Sequence, residues 1–206
     1  MILEKFHNIP SEKQNTIINA ALETFGTNGY KKASVSDIAA AAGISKAMIF
    51  HYFGTKKDLY FYLLNYCSKL LMGEITDRFD HRVTDFFDKI TMAANIKLEV
   101  IKKHPAILTY LYCVFYETNE EVRGGINEFL TKSESIRNTF TFEGIDYSKF
   151  KEGVDVTLIM KMLTWMGEGF LGNSKSDRMP DLDALMKEYY EAMELLRKNL
   201  YKEEYL

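Results

Sequence analysis

The chain has 206 residues, of which 47% are hydrophobic and 27% charged, and its net charge is −3. That length supports one or two domains with a buried core, and the mild acidity excludes a protein that is basic over its whole surface. Three prolines, twelve glycines and no alternating apolar–polar runs favour an all-α chain over a sheet.

Pro10-Ser11-Glu12 can open a first helix over residues 11–27, with Ile17, Ile18, Ala21, Leu22 and Phe25 on one stripe and Asn28-Gly29 closing it. Residues 34–56 then read SVSDIAAAAGISKAMIFHYFGTK. Ser34 stands where an N-cap belongs. Val35, Ile38, Ala39 and Ala42 share one helical face, and Gly43 follows where a chain needs positive φ to end a helix. Ile44 is the plug of the turn. Ser45 caps a second helix, residues 46–52, with Ile49 facing inward. The alanines let two helices cross closely and steeply, as a helix-turn-helix requires. Lys46, Ala47, Met48, Phe50, His51 and Tyr52 then fall outward or sideways, on a surface suited to a DNA major groove.

Gly54-Thr55 breaks the chain, and Thr55 caps a fourth helix over residues 56–72 carrying Leu59, Tyr60, Leu63, Leu64, Cys67 and Leu71. It is long enough to connect a head to a body. A fifth helix is expected over 83–103, and Pro105 suits the first position of a sixth, 106–117. A seventh spans 120–140, with Gly124-Gly125 as a weak spot. After a loop at 144–150, an eighth helix covers 151–172. Residues 173–180 read as a polar, flexible link to a ninth, 181–203. Leu158, Met162, Trp165 and Met166 make one apolar face of the eighth helix, and Leu182, Leu185, Met186, Tyr189, Met193 and Leu196 one of the ninth.

From Gln14 to Leu64 the chain closely resembles the DNA-binding domain of TetR-type transcriptional repressors. The likeness rests on Ile17, Ala20, Ala21, Phe25, Gly29-Tyr30, Ser34 to Ala39, Ala42 to Lys46, Phe50-His51-Tyr52-Phe53, Lys56 and Leu59. It covers about a quarter of the chain. The remainder fits the family by length and helical character. The resemblance implies an N-terminal three-helix DNA-binding domain, residues 1–55, and a helical regulatory and dimerisation domain, 56–206, with 56–72 as the connecting helix. About nine helices are expected in all.

It also implies roles. Ser34, with the N-terminus of its helix, would hold one phosphate, and Lys56 another. Ser45 caps the reading helix. Lys46 is the best candidate for a guanine contact, and His51 and Tyr52 can donate to the DNA backbone. Ala47 stands where the family often has Gly, and its methyl can meet a thymine methyl. Phe50 replaces the usual Tyr, so that hydroxyl is missing, and Met48 offers only apolar contact. The expected partner is double-stranded DNA with a palindromic operator, bound by a homodimer joined through the eighth and ninth helices. A small apolar or aromatic effector is expected in the body, with Tyr110, Met162, Trp165 and Met166 as first candidates for its site, and would release a repressor from its operator. No cofactor or metal is expected.

The charge pattern agrees. Residues 1–60 hold seven Lys against five Asp and Glu, and the rest nineteen basic against twenty-four acidic residues. Cys67 and Cys113 are isolated and read as buried free thiols. The first ten residues lack the apolar centre of a signal peptide, and no apolar run is long enough to span a bilayer, so a cytoplasmic protein is expected. An enzyme would show a nucleophile elbow, a phosphate loop or metal-ligand spacing, and none is present. The remaining alternative is a helical interaction protein whose head no longer binds DNA.

Overall fold

The computed structural model describes residues 2–172 and 181–206. The expected flexible link at 173–180 lies outside the described residues. Ten α-helices are found among those residues: α1 (Ile2–His7), α2 (Ser11–Lys32), α3 (Val35–Ala41), α4 (Lys46–Phe53), α5 (Lys56–Arg78), α6 (Phe86–Lys103), α7 (Pro105–Tyr116), α8 (Glu120–Phe142), α9 (Val156–Gly172) and α10 (Leu182–Leu200). The extra helix over the expected nine is α1. Its six residues are too short to show a period, but Phe6 is fully buried and sets its ring against Tyr52, Phe53 and Tyr62.

The chain packs as two units, Met1–Arg78 with Glu99–Ile136, and Phe79–Leu98 with Arg137–Leu206. In the first, Ile17, Ala21, Leu22 and Phe25 of α2 join Ile38, Ile49, Leu59, Tyr60, Leu63, Ile107, Tyr110 and Ile126 in one core. Closeness between α2 and α7 depends on Gly26, where a Cβ would come within 3.0 Å of the Tyr110 backbone nitrogen. Gly125, expected as a weak spot, lies inside the unbroken helix α8. A Cβ there would sit 2.6 Å from Phe61 Cζ, so the missing side chain makes room for a ring and does not mark a kink. Cys67 is fully buried, which pushes its thiol up to about 12. Cys113 is only half-buried and donates its S–H to the Gly26 carbonyl.

Phe86, Phe87, Phe150, Ile159, Met160, Leu163, Met193 and Tyr201 form the core of the second unit. Asp85 locks it. Its carboxylate accepts the Asp88 N–H at 3.1 Å, which caps α6, and takes Lys149 Nζ at 2.8 Å. Arg197 of α10 lies 3.3 Å from the same carboxylate, pairs with Asp88, and stacks over the Phe87 and Tyr201 rings. Burial would raise the Asp85 carboxyl, but the Lys149 hydrogen bond, the Asp88 N–H and the two cations prevail and hold it below the ordinary carboxylate value. In the segment expected as a loop, Tyr147–Lys149 forms one 3-10 turn capped by Asp146.

Candidate functional site

The helix-turn-helix is built by its caps. Ser34 Oγ accepts the Ser36 N–H at 3.1 Å and starts α3. Gly43 takes φ +66°, which returns the Ile44 N–H to the Ala39 carbonyl at 3.0 Å and seats Ile44 against the core. Ser45 Oγ then accepts the Met48 N–H at 3.3 Å and starts α4. Gly54, at φ +85°, stops it. Thr55 and Asp58 cap α5 reciprocally: the Asp58 N–H donates to Thr55 Oγ1 at 3.0 Å, and the Thr55 N–H to Asp58 Oδ2 at 3.1 Å.

On α4 the core takes Ile49, Tyr52 and Phe53. Lys46, Ala47, Phe50 and His51 are exposed, so these expected reading residues share one open surface. Lys46 Nζ lies 6.0 Å from the Phe50 ring centroid, which places a cation beside an apolar face. Met48 is half-buried against the core. Tyr52 departs from expectation: only 4% of it is exposed. Its ring packs edge-on to Phe6 of α1, and without α1 in view the sequence leaves that face of α4 uncovered.

Lys56 also differs from the free phosphate ligand expected. It is half-buried, with Nζ 4.5 Å from the Tyr30 ring centroid and 3.4 Å from the Lys31 carbonyl. Burial lowers its pKa, and the Glu121 and Glu117 carboxylates oppose that shift. The turn at Gly29, φ +68° and ψ 173°, aims the next residue at the same acids. Tyr30 donates its N–H to Glu117 Oε2 at 2.8 Å and its hydroxyl to Glu121 Oε1 at 2.7 Å. Glu117 further accepts from the Thr118 and Asn119 N–H groups, which orders the α7–α8 junction. Lys56, Tyr30, Glu117 and Glu121 thus join the foot of α5 to the start of α8, and sequence reading found only the first two.

The four candidates for an effector site separate. Tyr110 is fully buried in the core of the first unit and donates its hydroxyl to the Tyr60 carbonyl at 2.6 Å, a satisfied core role. Met162 and Trp165 lie on the surface of α9 in the second unit, Trp165 being 59% exposed. Met166 packs against that unit's core. Helical spacing groups apolar residues by face, but it does not tell whether a face meets core, cavity or partner. Two residues that the sequence reading passed over are Lys97 and Arg137. Lys97 follows Phe86 and Ile90 at i+11 and i+7 on α6, so a charge occupies the helix face that the core uses.

The sequence model of bacterial regulatory proteins of the tetR family matches residues 17–63, the stretch that carries this geometry. The chain is also 34% identical over 160 residues to the fatty acid metabolism regulator protein of Bacillus subtilis (strain 168), covering 73% of this chain and 77% of that one. Among solved structures, the fatty acid degradation regulator FadR from Bacillus halodurans superposes with a TM-score of 0.71 at 24% identity, over 87% of this chain and 96% of that one. The regulator FadR from Bacillus subtilis in complex with stearoyl-CoA gives 0.67 at 24% identity, over 88% and 96%.

Proposed function

This chain belongs to the TetR family of bacterial regulatory proteins and is a DNA-binding transcriptional regulator; from that premise we propose that it is a repressor released from its operator by a long-chain acyl thioester. Regulators of this family bind operator DNA and small-molecule effectors, and dimerisation is typical of them. The observation that carries the acyl reading is the 34% identity to the fatty acid metabolism regulator, because that match is more than three times as long as the segment 17–63 and most of it falls outside the shared head. The solved relative that holds stearoyl-CoA supports the same ligand class.

In this reading residues 1–55 bind DNA and 56–206 regulate and dimerise. Lys46, Ala47, Phe50 and His51 face base edges, with Met48 at their margin. Ser34 and Ser45 set the pose of α3 and α4 through their capping bonds and offer their helix starts to phosphates. Tyr52 holds α4 in place from behind. Lys56 contributes to phosphate attraction from its seat on Tyr30. The dimer forms through α9 and α10, where Leu158, Met162 and Trp165 make an exposed apolar stripe at i, i+4 and i+7 and Leu195 is 63% exposed. Such a stripe is costly to leave in water, and bundle packing against its own copy removes it. Two α4 helices then enter successive major grooves about 34 Å apart on a palindromic site. The acyl effector binds the body and favours the arrangement that fits those grooves less well.

A mobility-shift titration on an operator selected from random duplexes tests the release. Stearoyl-CoA at micromolar concentration is expected to lower operator affinity at least about tenfold, a coupling of about 1.4 kcal/mol. Unchanged affinity at saturating stearoyl-CoA would contradict the acyl reading.

A further inference from the structure

The second unit carries two cations where its helices should be apolar. Lys97 lies on the α6 face that buries Phe86 and packs Ile90 against the core, and its ammonium end is buried. Arg137 of α8 lies one turn before the buried Thr141, and its Nε is shut off from solvent with no hydrogen-bond partner. No carboxylate among the described residues pairs with either group. Elsewhere in the same unit buried charge is fully matched, as Asp85 is by Lys149 and Arg197. Two like charges held inside a fold without a counter-ion are expensive unless a bound anion completes them.

We propose that Lys97 and Arg137 form the anion-holding end of the effector site, taking the charged headgroup, carboxylate or phosphate, of a long-chain acyl compound. The inference deepens the acyl-effector reading and rests on it for the apolar part of the ligand. Burial lowers the Lys97 pKa, and the Arg137 charge lowers it further, which is the sign expected of cations awaiting an anion. The sequence reading favoured an uncharged ligand because the two residues lie 40 positions apart on different helices, and only folding assigns them to one unit.

Calorimetric titration of the full chain with dodecanoyl-CoA, dodecanoate and 1-dodecanol tests this, using Lys97→Met and Arg137→Leu with the charge-keeping Lys97→Arg and Arg137→Lys beside them. Each neutral variant is expected to lose about tenfold or more in affinity for at least one anionic probe. 1-Dodecanol should bind unchanged, the charge-keeping variants should bind near the wild-type level, and the unliganded melting temperature of the neutral variants should hold or rise. Loss confined to the thioester identifies a phosphate headgroup, and loss confined to dodecanoate a carboxylate. Wild-type affinity for both anions in both neutral variants overturns the site while leaving the acyl thioester standing as effector. Dodecanoate bound through the pair with no binding of dodecanoyl-CoA does the reverse. A wild-type protein that binds neither anion, or neutral variants that lose 1-dodecanol equally, also overturns it.

Discussion

A single lysine carries most of the expected base discrimination. Lys46 is exposed at the first turn of α4, beside the open Phe50 ring, and has no carboxylate to occupy it among the described residues. Lys46→Ala is expected to weaken operator binding by about 1–3 kcal/mol and to relax preference at one base pair per half-site. Titration against singly substituted operators reads both effects, and a uniform loss at every position would reassign Lys46 to a phosphate. Asp85 makes a different residue-scale case. Its folded pKa is depressed, so its contribution to stability is present above the ordinary carboxylate value of 3.8 and is lost as pH falls through the folded value. Asp85→Asn should cost about 3 kcal/mol near neutrality, since Lys149 is left buried without its partner, and should flatten the acid limb of stability below about pH 4. Denaturant melts at pH 7 and pH 3 compare the two.

At the scale of elements, the pose of α4 depends on a helix that the sequence does not announce. Ile17, Ile38, Ala39, Gly43, Ser45 and Ile49 were legible, because caps, a positive-φ glycine and a helical apolar stripe are local signals. The α1 helix was not, because one and a half turns carry no period. Tyr52 was therefore placed outside when Phe6 in fact covers it. Phe6→Ala removes a fully buried ring that touches Tyr52, Phe53 and Tyr62, and is expected to cost about 3–5 kcal/mol of stability. Operator affinity measured where the variant remains folded should also fall, because α4 loses its backing. A stability loss with unaltered affinity would limit α1 to a role in folding. Glu117 and Glu121 escaped notice for a related reason: on sequence they are solvated acids at a helix start, and only the turn at Gly29 brings Tyr30 to them.

For the whole molecule, the argument joins a reading head to a regulated body through a second copy of the chain. No helix among the described residues is long and apolar enough to cross a membrane, and the apolar stripe of α9 is too short and one-sided for that use. Trp165→Glu, placing a charge in the middle of Leu158, Met162 and Trp165, is expected to convert a dimer to monomers in sedimentation velocity and to abolish high-affinity operator binding, while helical circular dichroism stays unchanged. A Trp165→Glu protein that remains dimeric would move the interface elsewhere. The body's length and helical rhythm were legible in sequence, but the use of each apolar face was not. Trp165 and Tyr110 carry similar local patterns, yet one is open and the other is closed in core.

The central claim is that paired α4 helices read a symmetric DNA sequence. Equilibrium selection of bound duplexes from a random pool, followed by sequencing, tests it most directly. The account predicts a palindromic consensus with half-sites about one helical turn apart, enriched by the wild-type chain and lost with Trp165→Glu. Recovery of no preferred sequence at low salt, or of a single unpaired half-site by a dimeric protein, would contradict it.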